Sequence, residues 1–354
     1  MKPPFKEVAG SIVAPRGFRA SGVFCDIKRL GTGKGSQKGK KRDLALIVSE
    51  VPAAVAGMFT TNQVCAAPVK VCLERVKGGL AQALVVNSGN ANACTGELGL
   101  KDAKEMVRFT EKTLKLPAGS VLVGSTGRIG VPLPLDNVRG GIVAAAAELG
   151  STPEHAAHAA EAIMTSDTRP KQIAVEFKLS GKPVRLGGIC KGAGMIQPGM
   201  SRDGKRPAAT PPHATMLCFL TTDAAIEAWW LQTNLEEAVA QSFNRITVDG
   251  DMSTNDTVLL LANGLAGNPL IASDPKDDTD EIRCDLLTFG EALNHVCREL
   301  AKMIVRDGEG VSRFVSVIVE GARTFADADA AARAVANSAL VKTSWCGGDP
   351  NSSV

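Results

Sequence analysis

The chain has 354 residues, with 40 basic and 37 acidic side chains for a formal charge of +3; 44% of residues are apolar and 22% charged. That length buries a substantial core without disulfide or metal staples, and that composition excludes disordered and fibrous classes. Aromatic residues make up 4% and tyrosine is absent, which argues against a nucleic-acid reader built on stacked rings.

The N-terminal MKPPFKEVAG lacks the apolar core of a secretory signal, and no apolar run approaches the ~18 residues that span a bilayer. No nucleic-acid or membrane partner is expected. Nine cysteines run from Cys25 to Cys346 without a CxxC pair, and His155, His158, His213 and His295 do not join them at zinc-like spacing. No metal site is expected. Free thiols of this kind fit a reducing cytoplasm, with Cys25, Cys65, Cys72 and Cys190 read as small buried hydrophobes in strand-like surroundings.

In chain order, Lys34 to Arg42 (KGSQKGKKR) is the one basic cluster and reads as a solvated loop between strands rather than a phosphate-binding patch. Asp43 to Val51 and Ala54 to Thr60 read as two half-buried strands, followed by strands at Ala83 to Asn87 (ALVVN) and Ser120 to Gly124 (SVLVG). Thr152, Pro153 and Glu154 open a helix over His155 to Met164. The Pro-, Gly- and charge-rich stretch Pro198 to Pro212 fits neither a central strand nor a helix interior, so it is an exposed loop. A strand begins at Thr215, Asn234 is a candidate cap for a helix over Leu235 to Phe243, and Val258 to Leu261 and Phe314 to Glu320 (FVSVIVE) are further strands. Strands and helices interleave, so the class is α/β.

Two segments suggest chemistry. Thr215 follows Ala214 at the end of the Pro-rich loop and opens a strand, the setting in which a self-cleaving hydrolase places its nucleophile. Once the Ala214–Thr215 bond is cut, the new α-amine, with a reference pKa near ~8, can act as base on its own hydroxyl without any histidine. A threonine there is also an ordinary β-branched strand residue. Gly124 to Gly130 (GSTGRIG) reads as a Gly-rich turn after a strand, able to aim a backbone N–H and a hydroxyl at a developing oxyanion, or simply as a tight turn. It has neither GK[ST] nor GxGxxG, so a phosphate loop is a poor fit.

Taken together, GFRASG (17–22), DLALIV (43–48), FTTNQV (59–64), NSGNANACTG (87–96), GSTGRIG (124–130), TSDTRPK (165–171), KGAGM (191–195), ATML (214–217), SFNRITVDGDMSTNDTVLLL (242–261), RDGEG (306–310) and LVKTSWCGGDPN (340–351) cover nearly the whole chain. In this combination and order the sequence resembles the ornithine acetyltransferase family, the bifunctional glutamate N-acetyltransferases of arginine biosynthesis.

The resemblance implies an αββα fold of the aminopeptidase/ornithine-acetyltransferase type. The chain would be cut into an α piece, 1–214, and a β piece, 215–354, assembling as α2β2. Thr215 would be the nucleophile, Thr126 and Gly127 the oxyanion hole, and Thr165, Lys191, Thr215 and Glu309 the substrate-binding residues. Lys191 suits a carboxylate and Glu309 an ammonium. Asn255 and Asp256, within STNDT, read equally as substrate contacts or as a hydrogen-bond network at a strand edge. Acetyl would pass from N-acetylornithine to glutamate by a ping-pong route with no cofactor; acetyl-CoA could serve as a second donor. Two features depart from the family pattern: SRDGKRPAATPPH (201–213) is inserted before ATML, and the family continues past DPNSSV for about one small subdomain. An N-terminal-nucleophile aminopeptidase and an inactive truncated homologue remain alternatives.

Overall fold

Successive rather than alternate apolar positions mark strands buried on both faces, and that pattern governs this fold. The computed structural model describes residues 5–28, 41–205, 216–272 and 280–348. Among these, ten strands form one sheet. They are β1 (Lys6–Glu7), β2 (Phe18–Val23), β3 (Leu44–Thr60), β4 (Leu80–Asn90), β5 (Val121–Arg128), β6 (Lys171–Leu179), β7 (Lys182–Lys191), β8 (Met200–Ser201), β9 (Leu217–Thr222) and β10 (Thr257–Ala262). Their order is β1-β6-β7-β9-β10-β3-β4-β5, with β2 and β8 also pairing β3.

The two strands read before and after Pro52 are one, β3, of 17 residues. Its register against β4 shifts between Val48 and Ala53, so the interruption is a bulge around a residue that has no N–H to give to the ladder. Beyond the bulge β3 leaves β2 and pairs β10, Ala54 opposite Ala262 and Phe59 opposite Thr257. The sheet thereby folds over on itself: a Cβ at Gly124 of β5 would lie 3.1 Å from Phe219 Cζ of β9, although three strands separate β5 from β9 in the ladder.

Leu217, Phe219, Leu259 and Leu261 share the inner core with Val85 and Val123, while Cys218, Leu220, Val258 and Leu260 turn outward to Phe289 and Val296. Helices α1 (Ala67–Arg75), α2 (Gly96–Leu114), α3 (Leu135–Ala147) and α4 (Pro153–Ala162) cover the β2–β5 half, and α5 (Ala228–Ala240) and α6 (Asp280–Val305) cover the other. The layering is αββα. On α6, Phe289, Leu293, Val296, Leu300 and Ile304 recur at helical spacing and are fully buried.

α4 starts where Thr152-Pro153 predicts, although the Thr152 hydroxyl bonds His155 Nδ1 at 2.6 Å rather than a backbone N–H. Asn234 is no cap: α5 begins at Ala228, and Asn234 Nδ2 donates to the Trp230 carbonyl inside it. Residues 311–320 form no strand; no neighbouring edge among the described residues offers them a ladder. They run without regular secondary structure beside α7 (Phe325–Asn337) and α8 (Ala339–Gly347). GSTGR is not a turn but the end of β5. Cys72 lies buried in α1 rather than in a strand, and Cys25 and Cys65 are half-buried outside any strand; Cys190 is buried in β7 as expected. The Pro-rich stretch contributes β8, two residues long, to the edge at Thr60. Most of the basic cluster, residues 34–40, and residues 206–215, with His213, Ala214 and Thr215, lie outside the described residues.

Candidate active site

The end of β5 is shaped by two glycines. β4 and β5 run parallel with Ser88 opposite Thr126 and Gly89 opposite Gly127. Gly127 has φ +130°, and a Cβ there would stand 2.4 Å from the Gly89 carbonyl carbon, so only glycine lets the backbones approach this closely. Thr126, one residue earlier, is buried. Behind it Ser125 Oγ donates to Asn87 Oδ1 at 2.6 Å, and Asn90 Nδ2 holds the Val131 and Pro132 carbonyls, so the NSGNANACTG segment buttresses this strand end.

Lys191, the last residue of β7, reaches the same point. It is 2% exposed, and its Nζ donates to Thr165 Oγ1 at 2.8 Å and to Thr126 Oγ1 at 3.4 Å. Asp167 Oδ2 stands 3.9 Å away. Burial pulls the Lys191 ammonium below the usual lysine range, and Asp167 is the chief counterweight. Three of the residues singled out from the sequence, Thr126, Thr165 and Lys191, therefore form one hydrogen-bonded cluster, with Gly127 next in the chain.

Glu309 approaches from the turn after α6. Its backbone N–H donates to the Ala193 carbonyl at 2.7 Å, and a Cβ at Gly194 would lie 2.7 Å from its carboxylate. The second glycine of KGAGM thus leaves room for Glu309. Glu309 itself is exposed and borders a hollow of about 620 Å³ lined by Gln197, Val248, residues 310–319 and one side of α7 and α8. That hollow is largely apolar, and Lys191, Thr126 and Thr165 do not line it, so it is separate from the polar cluster.

Lys191 pairs Leu217 across the ladder, which brings the start of β9 to the cluster. Met216 is the first described residue there. Its N–H donates to Asp256 Oδ1 at 2.5 Å, while Asp256 Oδ2 is buried with no partner among the described residues. Burial pushes the Asp256 carboxyl well above the usual range, more than the Met216 N–H and Lys191 pull it down. Asn255 Nδ2 donates to the Ala91 and Ser125 carbonyls at 2.7 and 2.8 Å, and its Oδ1 accepts from Thr254. Asn255 is thus committed to the scaffold, the network reading of STNDT. Residues not assigned from the sequence also stand here: Asp167, Lys171 and Asp307 form a buried charge network behind Lys191. The signal available for two of them was a pair of opposite charges four residues apart inside TSDTRPK.

The residues described form no cluster of His, Cys, Asp and Glu able to hold a metal ion, and no described helix is long and apolar enough to cross a membrane.

The folded-over sheet and the Lys–Thr cluster at its strand ends define an α/β protein of the ornithine-acetyltransferase type of fold. A solved ornithine acetyltransferase from Mycobacterium tuberculosis, complexed with ornithine, aligns over 56% of this chain and 100% of its own, with 37% identity and a TM-score of 0.51. The ArgJ family model matches residues 21–353, and the chain belongs to that family. Among relatives, the arginine biosynthesis bifunctional protein ArgJ of Symbiobacterium thermophilum is 50% identical over 97% of this chain and 78% of its own length. The glutamate N-acetyltransferase of Methanocaldococcus jannaschii is 45% identical over 97% of this chain and 76% of its own.

Proposed function

We propose that this chain transfers the acetyl group of N-acetylornithine to glutamate in arginine biosynthesis, through an acetyl ester on Thr215 that becomes available when the Ala214–Thr215 bond is cut. In this reading Thr215 Oγ attacks the acetyl carbonyl while the Thr215 α-amine takes the hydroxyl proton. The Thr126 hydroxyl and the Gly127 N–H stabilise the oxyanion until the C–N bond breaks and ornithine leaves with that proton on its amine. The glutamate amine then attacks the ester and departs as N-acetylglutamate, returning the proton to Thr215 Oγ. Lys191 and Thr165 hold the substrate carboxylate end, and Glu309 an ammonium.

The observation that carries the reading is the buried Lys191 ammonium joining Thr126 and Thr165 beside the first described residues of β9. The activities named for the relatives support it, as does the ornithine bound in the solved relative. We further propose a cytoplasmic α2β2 assembly of the 1–214 and 215–354 pieces, with acetyl-CoA tested as a second donor. In the sheet, β9 and β10 of the second piece lie between β7 and β3 of the first, an arrangement in which cut pieces would stay together.

Denaturing mass spectrometry is the test of cleavage, with acetyl transfer from N-acetylornithine to glutamate assayed on the same preparation. Two fragments meeting at Ala214–Thr215, an uncut and inactive Thr215→Ala chain, and transfer by the cut protein are expected. An uncut wild-type chain of 36.8 kDa that nonetheless transfers acetyl would overturn the freed-threonine step. Cut protein without transfer would overturn the activity.

A further inference from the structure

Behind Lys191 a chain of buried charges runs away from the cluster without touching Thr126 or Thr165 through Lys171 or Asp307. Asp167 Oδ1 accepts from Lys171 Nζ at 2.6 Å and from the Gly192 N–H at 2.7 Å, while its Oδ2 accepts from the Thr165 N–H at 3.0 Å. Lys171 Nζ donates on its other side to Asp307 Oδ2 at 2.5 Å. Asp307 Oδ2 also accepts from the Thr168 N–H at 3.0 Å, and its Oδ1 accepts from the Thr168 hydroxyl. The Asp167, Lys171 and Asp307 side chains are at most 4% exposed.

Four interior charges are costly to assemble, and removing one member of such a set leaves another uncompensated. Two lysines and two aspartates balance here. What they join is specific: Asp167 grips both backbone N–H groups that flank the Lys191 and Thr165 side chains, those of Gly192 and Thr165. Asp307 sits two residues before Glu309 in the turn that closes α6. Lys171, in register opposite Cys190 at the end of β7, is the only link in this set between the two.

We propose that Asp167, Lys171 and Asp307 are positioning residues that set the spacing between Lys191 and Glu309, and so the span of amino acid the site accepts. The inference rests on the reading of Lys191 and Glu309 as the groups that bind the amino-acid substrates. It assigns the network no contact with the reacting atoms. Lys191 is faced by Asp167 and Lys171 from the 165–171 segment, Asp256 from the start of β10 and Glu309 from the turn after α6. Of these, Asp167 foremost, then Asp256 and Glu309, favour its ammonium, and Lys171 opposes it. The network thus also balances Lys191.

The experiment uses the full chain. Glutamate and N-acetylornithine kinetics are followed against pH for wild type, Asp167→Asn, Lys171→Met and the double variant Lys171→Met/Asp307→Leu, which removes one charge of each sign and keeps the balance if the single variants do not fold. Lys171→Met and the double variant should raise KM for both substrates about tenfold while kcat changes by less than about threefold, the split that marks lost binding rather than lost transition-state contacts. The alkaline limb of 1/KM, set by Lys191, should move down by about one pH unit in Asp167→Asn and up in Lys171→Met. Loss of packing alone would not move the two in opposite directions. KM within twofold of wild type in the double variant, or limbs that move together, overturns the proposal. Calorimetric glutamate binding separates the two readings: a wild type that binds glutamate but transfers no acetyl fails only the activity, and the same opposed pH shifts are then read on Kd. A wild type that binds neither substrate overturns both.

Discussion

Asn255 donates to the Ser125 carbonyl at 2.8 Å, one residue before Thr126, and so ties the segment just before β10, with Asp256 that holds the Met216 N–H, to the strand end where Thr126 and Lys191 meet. The same amide nitrogen holds Ala91, in the loop that buttresses Gly127.

Asn255→Ala removes this brace without touching any group assigned to substrate. Displacement of a catalytic group by about 1 Å costs about 10²-fold in rate. We therefore expect kcat for acetyl transfer to fall by roughly that factor, with a smaller change in KM, in steady-state assays. A kcat at the wild-type level would mean that β5 holds its position unaided.

Gly127 and Gly130 both have positive φ, +130° and +78°, yet only Gly127 is crowded; nothing lies within 4 Å of a Cβ at Gly130. Gly130→Ala should cost about 1 kcal/mol, the conformational strain alone. Gly127→Ala adds a collision with the Gly89 backbone and should cost well over 2 kcal/mol or prevent folding. Urea unfolding of the two variants side by side checks this, and equal midpoints would refute it.

Acid stability should follow Asp167 and Asp307. Burial pushes each carboxyl up, but Lys191 and Lys171 on Asp167, and Lys171 with Thr168 on Asp307, outweigh it and hold both below the usual range. A folded pKa below the unfolded one gives stability that is present above the unfolded value of ~3.9 and is lost as pH falls through the folded value. The urea midpoint of wild type should drop below about pH 4, and Asp307→Asn, less stable at pH 7, should drop less steeply there.

Asp256 has the opposite sign. Its folded pKa is raised, so its contribution is full below the unfolded value and is lost as pH rises toward the folded one. Asp256→Asn keeps an acceptor for the Met216 N–H and removes the buried acid, so its thermal midpoint should exceed that of wild type at pH 8 by roughly 2 °C for each ~1 kcal/mol gained, and not at pH 4. A gain at both pH values would point to packing rather than charge.

Much of the fold was legible in local pattern. The apolar runs of β4, β5 and β10 and the Thr-Pro-Glu start of α4 stand close to where the sequence puts them, because burial on both faces and helix-start chemistry act over a few residues. FVSVIVE has the same pattern yet forms no strand, since a strand exists only where another edge completes its ladder. Pro52 reads as a break but is a bulge in a strand that continues, because β2, β4 and β10 hold β3 on both sides of it.

By itself the sequence determined the α/β class, the family, and the segments that carry Thr126, Gly127, Thr165, Lys191 and Glu309. Only the tertiary structure decided that Lys191 lies between Thr126 and Thr165, that Asn255 serves the scaffold, and that Asp167, Lys171 and Asp307 join into one buried network. The reason is physical: Asp307 lies 136 residues from Lys171, and a contact over such a separation is set by the packing of α6 against β6 and β7, which no local propensity encodes.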